Sequence, residues 1–338
     1  MKRMLGCLIL FFVASASQAA SFDCAKASSN MEKAICQNPK LSKLDEALAS
    51  EYKTAKERLS PAAAKNFVRG QVSWLRFQAT ACFIDYYAAP ETPVRATECL
   101  VQAYEQRLRV LKTTGNMIGA FKTYPMSEYR IQITKAEKSI YTLQRDYVQV
   151  DDTSALGVRL NAFLGAEEKY PTDIMRGNDS VSDEVTLPSS DWLRRISSYD
   201  NFTGAHPNSG QICTVNSLSK NRMLLVSDVF TSPAWKQIAV KQTKAYFEQL
   251  AKQDKDFDLS MVLGYEPFDV PFSDPFPFCL SATGISVSGF FPHVAKSYDG
   301  VELSWDLFTA VLTPEDTLKV IDQGADDTTN AVSIRKFF

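Results

Sequence analysis

The chain has 338 residues, 45% of them hydrophobic and 22% charged, with a formal net charge of −2. That length fits two domains better than one core. The near-neutral balance removes the broad basic field of a nucleic-acid binder, and no segment after the N-terminus is apolar enough to cross a bilayer.

The N-terminus reads as a secretory signal. Lys2 and Arg3 form a basic start, Leu5 to Val13 is an unbroken apolar run, and Ser17-Gln18-Ala19 places small residues where a signal peptidase reads. Residues 1–19 are therefore expected to be removed, Cys7 with them. The mature chain is expected to be exported, to a periplasm, where disulfides are allowed. It keeps Cys24, Cys36, Cys82, Cys99, Cys213 and Cys279. An even number favours a disulfide framework, and sequence alone leaves about 15 pairings. The simplest keeps each bond within its region: Cys24–Cys36, Cys82–Cys99 and Cys213–Cys279.

Residues 20–115 read as helices. Ser29-Asn30-Met31-Glu32 has capping-box spacing and opens a short helix carrying Cys36. Asn38-Pro39 begins the next, whose stripe is Leu41, Leu44, Leu48, Tyr52, Ala55 and Leu59. Ser60-Pro61 starts a third, with Val68, Val72, Leu75, Ala79 and Cys82 as its apolar stripe. A loop with Pro90 and Pro93 leads to a fourth stripe at Leu100, Tyr104, Leu108 and Leu111. The expected fold is a disulfide-stapled antiparallel helical bundle. Trp74, Tyr52 and Tyr104 read as core residues, and Gln71 as a surface residue.

These residues carry a resemblance. Phe22-Asp23-Cys24, Glu32-Lys33-Ala34-Ile35-Cys36, Leu41, Leu44-Asp45, Tyr52, Gln71, Trp74-Leu75, Cys82, Cys99-Leu100, Tyr104 and Arg107 follow the order of the N-terminal domain of LprI-type lysozyme inhibitors. The likeness covers about residues 22–112, with four cysteines in register. One departure is Ala79-Thr80-Ala81, where the family often has an Arg-Asp pair before the third cysteine.

Residues 116–338 read as an α+β domain with a mostly antiparallel sheet, making the whole an α+β two-domain chain. Tyr129 to Ile133 alternates as a strand. Leu156, Leu160, Phe163 and Leu164 suggest a helix. Gln211–Val215 and Met223–Val226 read as strands joined near Asn221. Ser232-Pro233 opens a helix through Trp235, Ile238, Gln242, Tyr246 and Leu250. A hairpin is expected at Phe278–Leu280 and Gly284–Val287, then a strand at Val301–Leu303 and a short helix from Trp305 to Val311. The proline- and phenylalanine-rich run from Glu266 to Phe278 either wraps the sheet or forms an exposed apolar patch.

Tyr199, then Thr203-Gly204-Ala205-His206-Pro207, is similar to a motif of the lysozyme-binding extracellular domain of RsiV-type anti-sigma factors. Leu224-Leu225, Asp228-Val229-Phe230, Phe278-Cys279-Leu280, Gly284-Ile285, Phe291-Pro292, Tyr298-Asp299-Gly300 and Trp305 follow in order. The likeness spans about 125–315. It departs at Thr203, where a glycine is usual, and at Lys296-Ser297, commonly Ala-Pro.

Catalytic patterns are thin. The two histidines, His206 and His293, form no His-x-x-x-His cluster, and there is no P-loop or Gly-x-Ser-x-Gly elbow. The residues call for no metal or cofactor, and the reading is a non-enzyme. The two resemblances together imply an exported envelope protein that binds lysozyme and sterically occludes its cleft. Candidate contacts are Tyr199, Asn201, His206, Asn208, Ser209, Pro292, His293 and Tyr298. Residues 116–338 hold 21 Lys and Arg against 29 Asp and Glu, and residues 20–115 hold 14 against 10. The acidic half suits a basic partner. The alternatives are a non-catalytic peptidoglycan-binding module and an envelope-stress sensor component; a sensor needs a membrane span and a cytoplasmic part, and the sequence has neither. Oligomeric state is not legible.

Overall fold

The computed structural model describes residues 20–83, 93–134, 139–166, 178–187, 191–202, 207–259, 270–271, 273–281, 283–287, 300–313 and 332–333. The proposed signal segment 1–19 lies outside them, as do 203–206 and 291–299. Among the described residues no helix is long and apolar enough to cross a membrane.

Four helices form the N-terminal part: α1 (Asn30–Gln37), α2 (Pro39–Glu57), α3 (Pro61–Ala81) and α4 (Pro93–Lys112). Their starts are chemically specified. Ser29 and Glu32 close a capping box, which holds the Glu32 carboxyl down at about 2 through the Ser29 and Ser28 donors. Asn38 accepts from Leu41 N at 3.0 Å and Ser60 from Ala63 N at 3.3 Å, each followed by proline. Pro93 opens α4, about two turns before the expected stripe begins at Leu100. Cys24–Cys36 ties the entry turn to α1, and Cys82–Cys99 ties the end of α3 to α4.

The stripe expected on α3 is displaced. Val72 and Leu75 are exposed, and the buried side is Ala63, Phe67, Gly70, Gln71, Trp74, Phe77 and Gln78. The cause is what α3 packs against. At Gly70 it lies so close to Ser127 that an added Cβ would meet the Ser127 N at 3.4 Å. Gln71 turns inward to the Arg107 guanidinium and Gln78 is buried with it, so hydropathy alone misplaces the face.

The large sheet runs β1 (Met117–Ile118), β2 (Phe121–Thr134), β3 (Ser139–Val150), β4 (Asn178–Thr186), β5 (Trp192–Phe202), β6 (Pro207–Ser217) and β7 (Arg222–Met223), each beside the next. All pairs are antiparallel except β3 with β4, which are parallel and joined by α5 (Ala155–Gly165). α6 (Val226–Val229) and α7 (Trp235–Gln253) precede a three-stranded sheet of β8 (Cys279–Leu280), β9 (Gly284–Val287) and β10 (Val301–Ser304). β11 (Val332–Ser333) pairs antiparallel with β4. The strand expected to reach Val226 stops at Met223, because Asp228 accepts from Leu225 N and starts the turn of α6 there. The helix expected from Trp305 to Val311 is a 3-10 turn over Trp305–Phe308.

Successive arginines on β5 face opposite ways, as strand alternation demands. Arg194 donates to Thr186 Oγ1 at 2.8 Å and to the Leu280 carbonyl, on the side of the small sheet. Arg195 points to the end of α5, donating to Phe163 O at 2.7 Å. Cys213–Cys279 links β6 to β8 on the first of these sides. There Phe230, Trp235, Phe276, Phe278 and Phe308 make an aromatic core, so the described part of the proline- and phenylalanine-rich run wraps rather than projects.

Candidate functional site

A concavity lies where α3 and α4 meet β2 and β3. It encloses about 500 Å³ and is walled by Trp74, Phe77 and Gln78 of α3, Gln102, Arg107 and Arg109 of α4, and Tyr129, Gln144 and Asp146 of the sheet. Helical spacing sets the walls: Trp74 and Gln78, like Ala103 and Arg107, are four residues apart on one helix face.

Arg107 is 1% exposed. It donates from Nε to Gln71 Oε1 at 2.9 Å and from Nη1 to Ser127 Oγ at 2.6 Å, and its guanidinium lies 5.9 Å from the Trp74 ring centre. Ser127 passes the bond on to Asp146 Oδ1 at 2.6 Å, where Tyr129 also donates at 3.2 Å. Gln144 fills the other Asp146 oxygen at 3.0 Å. Burial, then the neighbouring Asp146, pushes the Tyr129 hydroxyl well above its usual range, which fixes it as a donor. Among the described residues the Arg107 Nη2 has no hydrogen-bond partner. Gln71 is therefore a buried anchor rather than a surface residue, while Trp74 and Tyr104 are core residues as expected.

A second network anchors the segment that precedes α1. Asp45 accepts from Ser21 N at 2.8 Å, Ser21 Oγ at 2.6 Å and Tyr104 OH at 3.2 Å. A third ties bundle to sheet: Asp151, at the end of β3, accepts from the Ser60 N at 2.9 Å and hydroxyl and pairs with Lys122 at 3.0 Å.

Of the partner contacts expected from the sequence, four share the β5–β6 hairpin. Tyr199 pairs with Gly210, Asp200 with Ser209, and Asn201 with Asn208. The Tyr199 ring lies directly over Gly210, so close that a Cβ there would overlap its hydroxyl. Burial raises the Tyr199 hydroxyl above its usual value. Ser209 is exposed. His206, Pro292, His293 and Tyr298 lie outside the described residues. Sequence reasoning passed over Ser127, Gln144 and Asp146; no local pattern marks them, because they meet Arg107 only through the fold.

The architecture is thus α+β, a disulfide-stapled helical bundle seated on a mostly antiparallel sheet. A family described as "Lysozyme inhibitor LprI" matches residues 24–111, the helical bundle. A family described as "Phosphonate metabolism protein PhnJ" matches residues 300–338. Two curated relatives are alpha-D-ribose 1-methylphosphonate 5-phosphate C-P lyases. That of Rhizobium meliloti is 34% identical over 97 residues, 28% of this chain and 26% of the relative. That of Escherichia coli K12 is 72% identical over 32 residues, 10% of this chain and 11% of the relative. The chain thus spans about a quarter and about a tenth of these enzymes, too little to claim a lyase. Among solved structures, a DUF3298 family member from Bacteroides fragilis aligns with TM-score 0.45 and 13% identity, covering 61% of this chain and 99% of the other. A DUF3298 protein from Pseudomonas aeruginosa PAO1 aligns with TM-score 0.39 and 12% identity, covering 58% and 96%. Likenesses this distant carry no functional argument.

Proposed function

We propose that this chain is an exported protein that binds lysozyme and blocks its muramidase action. The observation that carries the reading is the LprI match over residues 24–111, the same stretch that folds as a bundle with both of its disulfides closed. Those disulfides also suit an extracytoplasmic location after loss of residues 1–19.

The mechanism is occlusion. A glycosidase cleft presents two carboxylates to its substrate. A segment entering that cleft works best with hydrogen-bond donors and little negative charge of its own. The stretch that resembles RsiV-type domains offers Tyr199, Asn201, Asn208 and Ser209 on the paired strands β5 and β6, with His206, Pro292, His293 and Tyr298 as further candidates from the sequence. Around them the acidic balance of residues 116–338 draws in a basic enzyme.

The test is turbidity loss of cell-wall suspensions under c-, g- and i-type lysozymes, with the mature chain from Ala20 added. Inhibition of one class at a stoichiometric ratio is expected. Absence of both inhibition and calorimetric binding for every class would reject the reading, and binding to purified sacculi instead would point to a cell-wall module.

A further inference from the structure

We propose that the groove between α3, α4 and the β2–β3 edge is a binding site for a carboxylate attached to an apolar group, independent of the lysozyme reading. Its anchor is Arg107. This guanidinium is almost wholly buried on a side chain that lines the groove, yet its two direct partners, Gln71 Oε1 and Ser127 Oγ, are neutral, and among the described residues its buried Nη2 has no hydrogen-bond partner. A buried donor without an acceptor is costly, and a charged donor more so. An anionic acceptor at Nη2 relieves both deficits at once.

The neighbouring acids do not meet that need. Both oxygens of Asp146 are occupied by Ser127, Tyr129 and Gln144. Glu105 is held by Lys40 at 2.8 Å. Their remaining field nevertheless disfavours a doubly charged guest, which selects a carboxylate over a phosphate. The Phe77 and Tyr129 rings, stacked with centroids 4.7 Å apart, supply the apolar wall, and about 500 Å³ admits a group of amino-acid or dipeptide size.

The test is calorimetric titration of the full mature chain with N-acetylphenylalanine, its amide, inorganic phosphate, and N-acetyl-aspartyl-phenylalaninamide. The free acid is expected to bind roughly tenfold or more tightly than the amide, and phosphate not to compete. Comparable binding of the aspartyl peptide would identify the source as an acidic side chain of a protein; binding of the free acid alone would identify a terminal carboxylate. Arg107→Gln is expected to remove the preference of acid over amide. Because that change disturbs a buried network, Phe77→Leu is the companion: it should weaken acid and amide alike while leaving their ratio intact. Equal binding of acid and amide, binding of neither, or preference for phosphate would overturn the proposal.

Discussion

Arg145 on β3 and Arg195 on β5 donate to the same two carbonyls, Leu164 O and Ala166 O, at the end of α5. The last turn of a helix carries unsatisfied carbonyls and partial negative charge, so two guanidinium groups converge there despite their mutual repulsion. Burial first, and Arg145 second, lower the Arg195 pKa to about 10. Arg145 also stands 3.5 Å from Asp183 on the intervening strand β4.

This junction makes Arg195 a stability residue. Arg195→Met keeps an apolar stem against Phe163, whose ring centre lies 5.1 Å from the guanidinium, but removes the Arg195 hydrogen bonds to Phe163 O, Leu164 O and Ala166 O, leaving Arg145 alone at the last two. A loss of about 2–4 kcal/mol is expected in urea unfolding, with little change in m-value. Arg195→Lys should recover part of it.

Two buried carboxylates set opposite pH trends. Burial raises the Asp183 carboxyl from 3.8 to about 6, against the Ser197 hydroxyl and Arg145. A raised folded pKa contributes stability in full below the unfolded value, and the contribution is lost as pH rises through about 6. Burial also pushes Asp151 upward, but the Ser60 and Lys122 hydrogen bonds win and hold it below 3.8. Its contribution is present above the unfolded value and is lost as pH falls through the folded one. Asp183→Asn should therefore flatten a decline in stability between about pH 4 and 6, and Asp151→Asn should flatten a decline below about pH 4. Thermal unfolding from pH 2 to 8 separates the two.

Why the bundle and the mostly antiparallel sheet were legible while strands β3 to β5 were not follows from these same residues. Helix starts at Ser29, Asn38 and Ser60 are written in local chemistry, and α2 and α4 bury mainly apolar stripes. By contrast β3 and β5 bury charge as well as apolar groups. On β3, Arg145, Asp146, Tyr147 and Val148 are all buried in succession, and on β5 Trp192 through Arg195 are too. No period-2 alternation survives, and paired arginines read as surface. The groove was hidden for a related reason. Arg107 and Gln71 were visible through a family likeness, but their buried partners Ser127 and Asp146 come from distant strands.

The Cys213–Cys279 bond closes a separation of 66 residues between the two sheets. Replacing both cysteines by serine is expected to cost about 4 kcal/mol if the loss is chiefly loop entropy in the unfolded chain. Arg194, which reaches Leu280 across the same junction, should then matter more. Its substitution is expected to be more damaging in the serine background than in the parent, as measured by a double-mutant cycle in urea.

Tyr199 and Gly210 offer the sharpest test of the hairpin proposed to meet lysozyme. Gly210→Ala puts a methyl group where the Tyr199 ring lies, and should cost about 1–3 kcal/mol by forcing that ring away. In a Tyr199→Ala background the same change should cost little, because the obstructing ring is gone. Additive losses would mean that the ring and the glycine are not in contact. Because Asn201, Asn208 and Ser209 lie just beyond this pair, moving the ring should also disturb them. If this end of the hairpin enters the lysozyme cleft, Gly210→Ala should weaken inhibition by roughly tenfold while the fold persists at low temperature. Unchanged inhibition by a variant shown to be folded would shift the contact to the segment holding Pro292, His293 and Tyr298, or to the bundle.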